Sequence, residues 1–159
     1  MMGSGKSTIG KALSKKLKMN FADVDGIIQK KFSISIAKIF KTKGEEKFRE
    51  IEEEESIKLI NKKGLVIALG GGGFINQKIR ELIKRNSLSF WLDVDYKELF
   101  KRVKDKKNRP LVNNNTENDF GNLYNERKKI YSLADYKIKC NLKNKDEIVE
   151  EIKKIYENK

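Results

Sequence analysis

The chain opens on a glycine-rich string, GSGKST at residues 3–8, that runs without interruption into a helical pattern. Apolar residues recur at the spacing of one helix face from Ile9 to Leu17, so the sequence predicts a turn that feeds directly into a helix N-terminus. The letters GKS are the second half of the pattern G-x-x-x-x-G-K-[ST], in which backbone N–H groups wrap phosphates while the lysine and the hydroxyl reach phosphate and magnesium. We therefore expect nucleotide binding here; the alternative is a flexible N-terminus that has this composition by chance.

The length and composition of the chain fit one compact domain. Its 159 residues (18.5 kDa) can bury a core but are too few for two enzyme domains, so we expect one domain over residues 1–159. A single cysteine, Cys140, excludes an internal disulfide, and the absence of histidine excludes histidine-based triads and the usual zinc sites. No apolar stretch is long enough to span a bilayer and no signal-peptide pattern opens the chain. These features predict a cytoplasmic protein without a membrane partner, and we expect a monomer.

The net charge of +13 fits three kinds of partner: nucleic acid, an anionic membrane surface, or a small polyanion such as a nucleotide. Charge alone does not distinguish them. Lysines are scattered along every predicted helix and the aromatic residues sit in apolar runs, which disfavours a nucleic-acid-binding module. We therefore expect a nucleotide and a small-molecule substrate, and no nucleic acid.

The rest of the chain alternates strand and helix patterns. Apolar runs at residues 64–69 and 88–94 are typical of parallel strands covered on both faces, and shorter strands are predicted at 21–24 and 136–140. Helical patterns cover residues 27–40 (broken near 33–35), 45–61, 75–84, 96–104, 120–133 and 146–156. This order predicts an α/β fold with a parallel sheet and helices on both faces. Residues 106–119 are polar, asparagine-rich and hold the only proline, which predicts a functional loop.

Two further strings place polar groups or bare backbone at the ends of predicted strands. Asp23 and Asp25 lie at the end of the strand at 21–24, and a period of two would put both carboxylates on one face, where ligands of α/β folds gather. One could position magnesium through water and the other could accept a hydroxyl proton; the alternative is that Asp25 only caps the next helix. Four glycines at residues 70–73 follow the strand at 64–69 and permit close approach of a ligand, unless they form only a loose loop.

Arginine is much rarer than lysine among the 36 basic residues of the chain. Because its planar guanidinium can bind a carboxylate or a phosphate at two points, an arginine here indicates a specific contact. Arg109 lies in the long loop, where a lid arginine near a transferring phosphoryl group is expected. Arg127 begins a segment in which lysine would have sufficed for solubility. Arg49 lies among the glutamates of residues 45–55, so surface pairing at helical spacing is an open alternative. Arg80 and Arg85 are interpreted as solvated surface.

Taken in chain order, the strings GSGKST, DVD, GEEKFREIE, GGG after an apolar strand, RPL, and R-x-x-x-Y followed by an alanine resemble shikimate kinase over nearly the whole sequence. The FR-x-x-E segment, the triple glycine and the RPL lid, in that order, separate this family from other small P-loop kinases. The resemblance implies transfer of the γ-phosphate of ATP to the 3-hydroxyl of shikimate in aromatic amino acid biosynthesis, with Mg²⁺. Another small-molecule P-loop kinase, such as a gluconate kinase, is the alternative.

The resemblance assigns roles to residues at the motif positions. ATP would be held by Gly3, Ser4, Gly5, Lys6, Ser7 and Thr8, with Arg102 near the adenine and Arg109 on the phosphates. Ser7 would bind magnesium, with Asp23 assisting through water. Asp25 would bind the shikimate hydroxyls and orient or deprotonate the attacking one. Arg49 and Arg127 would grip the shikimate carboxylate, while Gly70, Gly71 and Gly72 would shape the wall of the site. Lys6, Asp25 and Arg109 are thus the expected catalytic residues.

In this family the sheet order is 2-3-1-4-5, and the central first strand and the first glycine of the phosphate-binding pattern are missing from this sequence. We therefore expect a three-layer fold with a lid at about residues 106–119 whose strands form two pairs separated by a gap, with poor stability. Met1 is interpreted as an internal methionine taken as a start, with an apolar strand ending in glycine encoded upstream. The alternative is an inactive remnant with a kinase-like body.

Overall fold

The computed structural model describes residues 1–104 and 117–159. Within these ranges strands and helices alternate along the chain, as the sequence pattern predicts. The strands are β1 (Asn20–Asp23), β2 (Leu65–Ala68), β3 (Phe90–Asp93) and β4 (Tyr136–Lys139). The helices are α1 (Lys6–Lys16), α2 (Val24–Phe32), α3 (Ile36–Ile60), α4 (Gln77–Asn86), α5 (Tyr96–Lys104), α6 (Glu117–Tyr131) and α7 (Lys145–Glu157), with a short 3₁₀ turn at Gly73–Ile75.

The four strands form two separate parallel pairs. β1 pairs with β2 in a register that sets Asn20 opposite Leu65, and β3 pairs with β4 with Phe90 opposite Tyr136. A largely apolar cavity of about 640 Å³ is lined by residues of β2, β3 and α1, so it lies between the two pairs. The expectation of two strand pairs separated by a gap is therefore confirmed for the described residues.

Helices cover both faces of the first strand pair. On β2, Val66 packs against the core cluster built from α1 and α7, whereas Leu65 and Ile67 pack against the cluster built from α2 and α3. Successive residues of a strand point to opposite faces, so the two clusters lie on opposite sides of the sheet. This is the predicted three-layer arrangement, and because β1 and β2 run parallel, their carboxyl ends lie at the same edge of the sheet.

Several helices begin at a short polar residue whose side chain forms the N-cap. Asp23 accepts the Gly26 N–H at the start of α2, and Ser35 accepts the Lys38 N–H at the start of α3. Asn144 forms a full capping box with Glu147 at the start of α7. α3 is interrupted at Gly44 (φ 80°, ψ 166°), which separates the helical segments predicted at 27–40 and 45–61.

Two sequence-based boundaries are wrong. Residues 117–119 were expected in the loop but form the first turn of α6. The negative charges of Glu117 and Asp119 stabilise this turn, because they lie at the positive end of the helix dipole. β1 ends at Asp23, so Asp25 lies in the first turn of α2 instead of alternating along a strand. Arg109 and the rest of the expected lid up to residue 116 lie outside the described residues. Among those described, no helix combines the length and apolar character that crossing a bilayer requires.

Candidate active site

The phosphate loop, residues 3–8, has the backbone shape that its glycines permit. Gly3 (φ 78°) and Gly5 (φ 86°) both adopt the left-handed conformation, and Gly5 precedes α1 without a side-chain cap. The first N–H groups of an 11-residue helix are therefore directed at the open end of the loop, where an anion is favoured. Ser4 Oγ and Lys6 Nζ donate to the Met1 carbonyl at 2.8 and 2.7 Å, which draws the loop into a closed turn.

Arg102 lies beside this loop although it belongs to α5. Its Nη1 donates to the Gly3 carbonyl at 3.4 Å, while its Nε donates to Glu98 Oε1 at 2.8 Å. The neighbouring Val103 also packs on the loop, since a Cβ built at Gly3 would lie 3.1 Å from its Cγ2. The structure thus brings Arg102 to the phosphate loop.

Ser7 and Asp23 meet at the mouth of the phosphate loop. Ser7 Oγ donates to Asp23 Oδ2, and Asp23 Oδ1 accepts the Gly26 N–H at 3.2 Å. Ser7 and Thr8 are exposed. A hydroxyl and a carboxylate are the hard oxygen ligands that Mg²⁺ prefers, so this pair fits the ion. No group of three or more metal-ligating side chains occurs in the described part of the chain.

Arg49 and Glu52 form the first half of a second cluster. Arg49 Nη1 donates to Glu52 Oε2 at 2.7 Å, and Arg49 Nη2 donates to Glu45 Oε1 at 2.9 Å. The guanidinium also lies over the rings of Phe40 and Phe48. Burial opposes its charge, but the two glutamates outweigh that effect and raise the pKa of Arg49. The pairing of Arg49 with glutamates of its own helix, which the sequence left open as an alternative, is therefore present. The paired guanidinium also lines a cavity.

Arg127 forms the other half of this cluster from α6. It is only 8% exposed, and its Nη1 donates to the Gly71 carbonyl at 3.3 Å. Arg49 and Arg127, which are 78 residues apart in sequence, line the same cavity of about 390 Å³, together with Glu52 and Gly72. We call this space the arginine cavity.

The glycine turn, residues 70–73, contributes Gly72 to the wall of the arginine cavity. A Cβ built at Gly70 would lie 2.6 Å from Asp25 Oδ1 and closer still to Glu52 Oε1, and a Cβ at Gly72 would lie 2.6 Å from Arg49 Cζ. Gly71 is less restricted, because its Cβ would meet nothing closer than Arg127 Nη1 at 3.6 Å. Gly70 and Gly72 are thus closely packed and not part of a loose loop: Gly70 lies against Asp25 and Glu52, and Gly72 lies against Arg49.

Two side chains of this region were not assigned roles from the sequence. Glu52 is 3% exposed, and burial, together with the charge of Asp25, raises its pKa against the lowering effect of Arg49 and Arg127. Glu52 is the glutamate of the FR-x-x-E string, so the sequence contained a pattern that could have identified it. Arg80 was interpreted as solvated surface, which is wrong: its Nη1 donates to the carbonyls of Phe74 and Ile75 at 2.9 and 2.6 Å and so holds the end of the glycine turn.

A phosphate loop with a hydroxyl–carboxylate pair lies near an arginine-lined cavity: Asp23 belongs to the pair, and Asp25, two residues later, lies against Gly70 of the glycine turn, whose Gly72 lines the cavity. This arrangement, at the carboxyl ends of parallel strands, defines the class of small-molecule P-loop kinases. The shikimate kinase family model matches residues 2–157. The chain belongs to the shikimate kinase family.

Individual relatives agree over almost the full chain. The chain is 42% identical to a shikimate kinase of Sulfurihydrogenibium sp. over 95% of its own length and 90% of the relative's. It is 40% identical to that of Aquifex aeolicus, over 95% and 89%. Its fold matches a shikimate kinase from Acinetobacter baumannii solved in complex with shikimate (TM-score 0.92, 32% identity, 99% of this chain and 90% of that one). It also matches the Aquifex aeolicus structure (TM-score 0.87, 39% identity, 99% and 92%).

Proposed function

We propose that this chain transfers the γ-phosphate of ATP to the 3-hydroxyl of shikimate, giving shikimate 3-phosphate for aromatic amino acid biosynthesis. The proposal includes a cytoplasmic, monomeric enzyme that acts on small molecules and not on nucleic acid or membranes. One observation carries it: Arg49 and Arg127, from different helices, converge on the glycine turn beside Asp25. Two guanidinium groups next to a carboxylate suit a ligand that carries both a carboxylate and hydroxyl groups.

The phosphate loop supplies the nucleotide half of the proposed site. The N–H groups at the start of α1 would bind the phosphates, and Lys6 would leave the Met1 carbonyl to offset charge on the transferring group. Ser7 and Asp23 would hold Mg²⁺, which when bound compensates phosphate charge. Arg102 would lie near the adenine. Arg109 would reach the phosphates as the lid arginine, and it stays a sequence-based assignment.

The arginine cavity supplies the acceptor half. Arg49 and Arg127 would bind the shikimate carboxylate and so fix the ring, and Gly70, Gly71 and Gly72 would form the wall against which the ring lies. Asp25, held against Gly70, would accept a hydrogen bond from the attacking hydroxyl and take its proton as the phosphoryl group arrives. Because phosphoryl transfer needs little covalent chemistry from the protein, this positioning and charge compensation would account for the rate.

An acceptor panel with purified protein tests the proposal. ADP release is measured with ATP, Mg²⁺ and each of shikimate, gluconate and a nucleoside, and only shikimate should stimulate it. Asp25→Asn keeps the shape of the side chain but removes the proton acceptor, so kcat should fall by about 10²- to 10⁴-fold. Lys6→Met should lower kcat by a similar factor because it removes charge at the phosphates.

The matched control is Lys11→Met, because Lys11 is an exposed lysine on the same helix as Lys6 and outside both halves of the site. This variant should keep wild-type kinetics. Stimulation by gluconate or a nucleoside in place of shikimate would replace the proposed substrate with that acceptor. Folded protein that releases no ADP with any acceptor would refute the proposed function.

A further inference from the structure

Arg49 is bonded to two carboxylates of its own helix, and these differ in their exposure to water. Its Nε and Nη2 donate to Glu45 Oε1 at 3.3 and 2.9 Å, while its Nη1 donates to Glu52 Oε2 at 2.7 Å. The side chain of Glu45 is 57% exposed, whereas that of Glu52 is 3% exposed. Both glutamates line the arginine cavity, in which the acceptor substrate is proposed to bind.

These contacts occupy the atoms with which Arg49 would receive a further carboxylate. A guanidinium binds a carboxylate at two points along one of two edges, Nε with Nη2 or Nη1 with Nη2. Glu45 occupies the first edge, and Glu52 is bonded to Nη1 of the second. A carboxylate that enters the cavity therefore competes with a glutamate at either edge.

The charges that line the arginine cavity also oppose an anionic ligand. Among the described residues, four carboxylates and two guanidinium groups line it, from Glu45, Glu52, Glu53, Glu126, Arg49 and Arg127. An anion is therefore not favoured as long as every carboxylate keeps its place. The cavity would become more favourable for an anion if a carboxylate in direct contact with a guanidinium moved out.

Glu45 is the partner of Arg49 that can leave at low cost. An exposed ion pair contributes little because water solvates the released carboxylate, whereas the buried Glu52 would lose its counter-charge without that compensation. Gly44 interrupts α3 directly before Glu45, which places Glu45 in the first turn of the second helical segment. A released carboxylate stays favoured there, near the positive end of a helix. Glu52 would meanwhile keep its bond to Arg49.

We propose that Glu45 is a specificity-determining residue of the acceptor site: in the free protein its carboxylate occupies the Nε and Nη2 edge of Arg49, and the carboxylate of the substrate replaces it there on binding. This role rests on the proposed function, because it assumes that shikimate brings its carboxylate to Arg49. The exchange leaves the N–H groups of that edge bonded in both states. A neutral ligand offers no group that can replace Glu45, so the exchange favours acids over neutral polyols.

The Glu45→Gln variant tests this proposal, since it keeps the length of the side chain and removes the competing charge. KM for shikimate should fall about two- to fivefold, which corresponds to the strength of an exposed ion pair. KM for ATP and kcat should change less than twofold, because the carboxylate contact serves ground state and transition state alike. A purely structural role of Glu45 predicts the opposite sign, since a less firmly held Arg49 would raise KM for shikimate. An unchanged or raised KM would overturn the proposal.

The matched control is Glu46→Gln, which removes the same charge at the next position of α3, from an exposed side chain outside the arginine cavity. Its KM for shikimate should stay close to wild type. In an Arg49→Ala background, Glu45→Gln should leave KM unchanged, because the group for which the two carboxylates compete is absent. An equal fall for Glu46→Gln, or the same fall without Arg49, would indicate general repulsion of an anion and would overturn the exchange.

Calorimetric titration with shikimate in the absence of nucleotide measures the exchange without phosphoryl transfer. Kd for shikimate should be about two- to fivefold lower for Glu45→Gln than for wild type, and equal values would contradict the exchange. These outcomes are distinct from failure of the proposed function. Wild-type protein that neither binds nor phosphorylates shikimate would refute both proposals, whereas an active wild type with the same shikimate affinity as Glu45→Gln would refute only this one.

Discussion

Replacing Gly72 by alanine should remove Arg49 from the arginine cavity without touching Arg49 itself. A Cβ built at Gly72 would lie 2.6 Å from Arg49 Cζ, whereas ordinary contacts of a Cβ begin at 3.4 Å. The guanidinium must therefore move by at least about 0.8 Å (3.4 minus 2.6). Arg49 moves and Gly72 does not, because the guanidinium is the flexible end of a long side chain, whereas Gly72 is held by the hydrogen bond from Ile75 N to its carbonyl.

The displacement is large enough to break the bond that orients Arg49. Its Nη1 lies 2.7 Å from Glu52 Oε2, and a movement of about 0.8 Å away from Glu52 would bring the pair to about 3.5 Å, the outer limit for a hydrogen bond. A hydrogen bond to a charged group contributes about 1.5–3 kcal/mol, and 1.4 kcal/mol is a factor of ten. If Arg49 loses an equivalent bond to the substrate carboxylate, KM for shikimate should rise about 10- to 100-fold.

Steady-state kinetics with varied shikimate at saturating ATP measures this effect. Gly121→Ala is the matched control, because its Cβ on α6 would meet only Tyr96 at 3.7 Å or more. Adding Gly72→Ala to an Arg49→Ala background should raise KM no further, since the displaced group is already absent. A folded Gly72→Ala protein with a wild-type KM, or a Gly72→Ala effect of equal size in the Arg49→Ala background, would refute the displacement argument.

Three further outcomes are expected. Arg127→Lys keeps the charge but loses the planar fork, so KM for shikimate should rise at least about tenfold, and unchanged kinetics would remove Arg127 from the site. The raised pKa of Glu52 means that the folded state binds its proton more tightly than the unfolded state, whose pKa is near 4.5, so this residue lowers stability as pH rises through the folded-state pKa. Glu52→Gln should therefore gain stability relative to wild type between pH 4.5 and 7.5 in urea titrations, and a difference that stays constant or falls would contradict this. Burial, with the charges of Asp93 and Glu151, raises the pKa of Cys140 from 9.0 to about 11, so alkylation by iodoacetamide at pH 8 should be about 100-fold slower than in urea-unfolded protein; equal rates would contradict the shift.

Local periodicity was sufficient to predict most of the fold. The helix predicted at 96–104 is α5 with the same bounds, and the apolar run at 88–94 contains β3. These elements are set by helical spacing of apolar residues in one case and by an unbroken apolar run in the other, and both patterns are properties of neighbours in sequence. The start of α6 was missed because asparagine and glutamate near residue 117 fit a loop as well as a first helical turn. Only the surrounding packing, here the bond from Tyr96 to the Glu117 carbonyl, distinguishes the two.

The candidate site was predictable only where its chemistry is local. The phosphate loop is one continuous string, and its glycines have the left-handed conformation that the spacing implies. The role of Arg49 could not be decided from sequence, because helical pairing with Glu52 and exposure to a cavity are both compatible with the same spacing. Arg80 looks like a surface residue in sequence, since the carbonyls that it binds are defined only once the glycine turn has folded.

The two arginines of the cavity leave different amounts of charge for an anionic ligand. The charge of Arg49 is compensated by Glu52 and Glu45. Arg127 donates to a neutral carbonyl, and within residues 1–104 and 117–159 no carboxylate forms an ion pair with it. The charge of Arg127 acts on Glu52, since it lowers the pKa of that carboxyl, but no salt bridge in the described residues holds it. A buried cation in this position gains when an anion enters, because part of its desolvation has already taken place on folding. We therefore expect the anion affinity of the cavity to come mainly from Arg127, whereas Arg49, held by Glu52 against the glycine turn, would chiefly set the orientation in which a carboxylate is received.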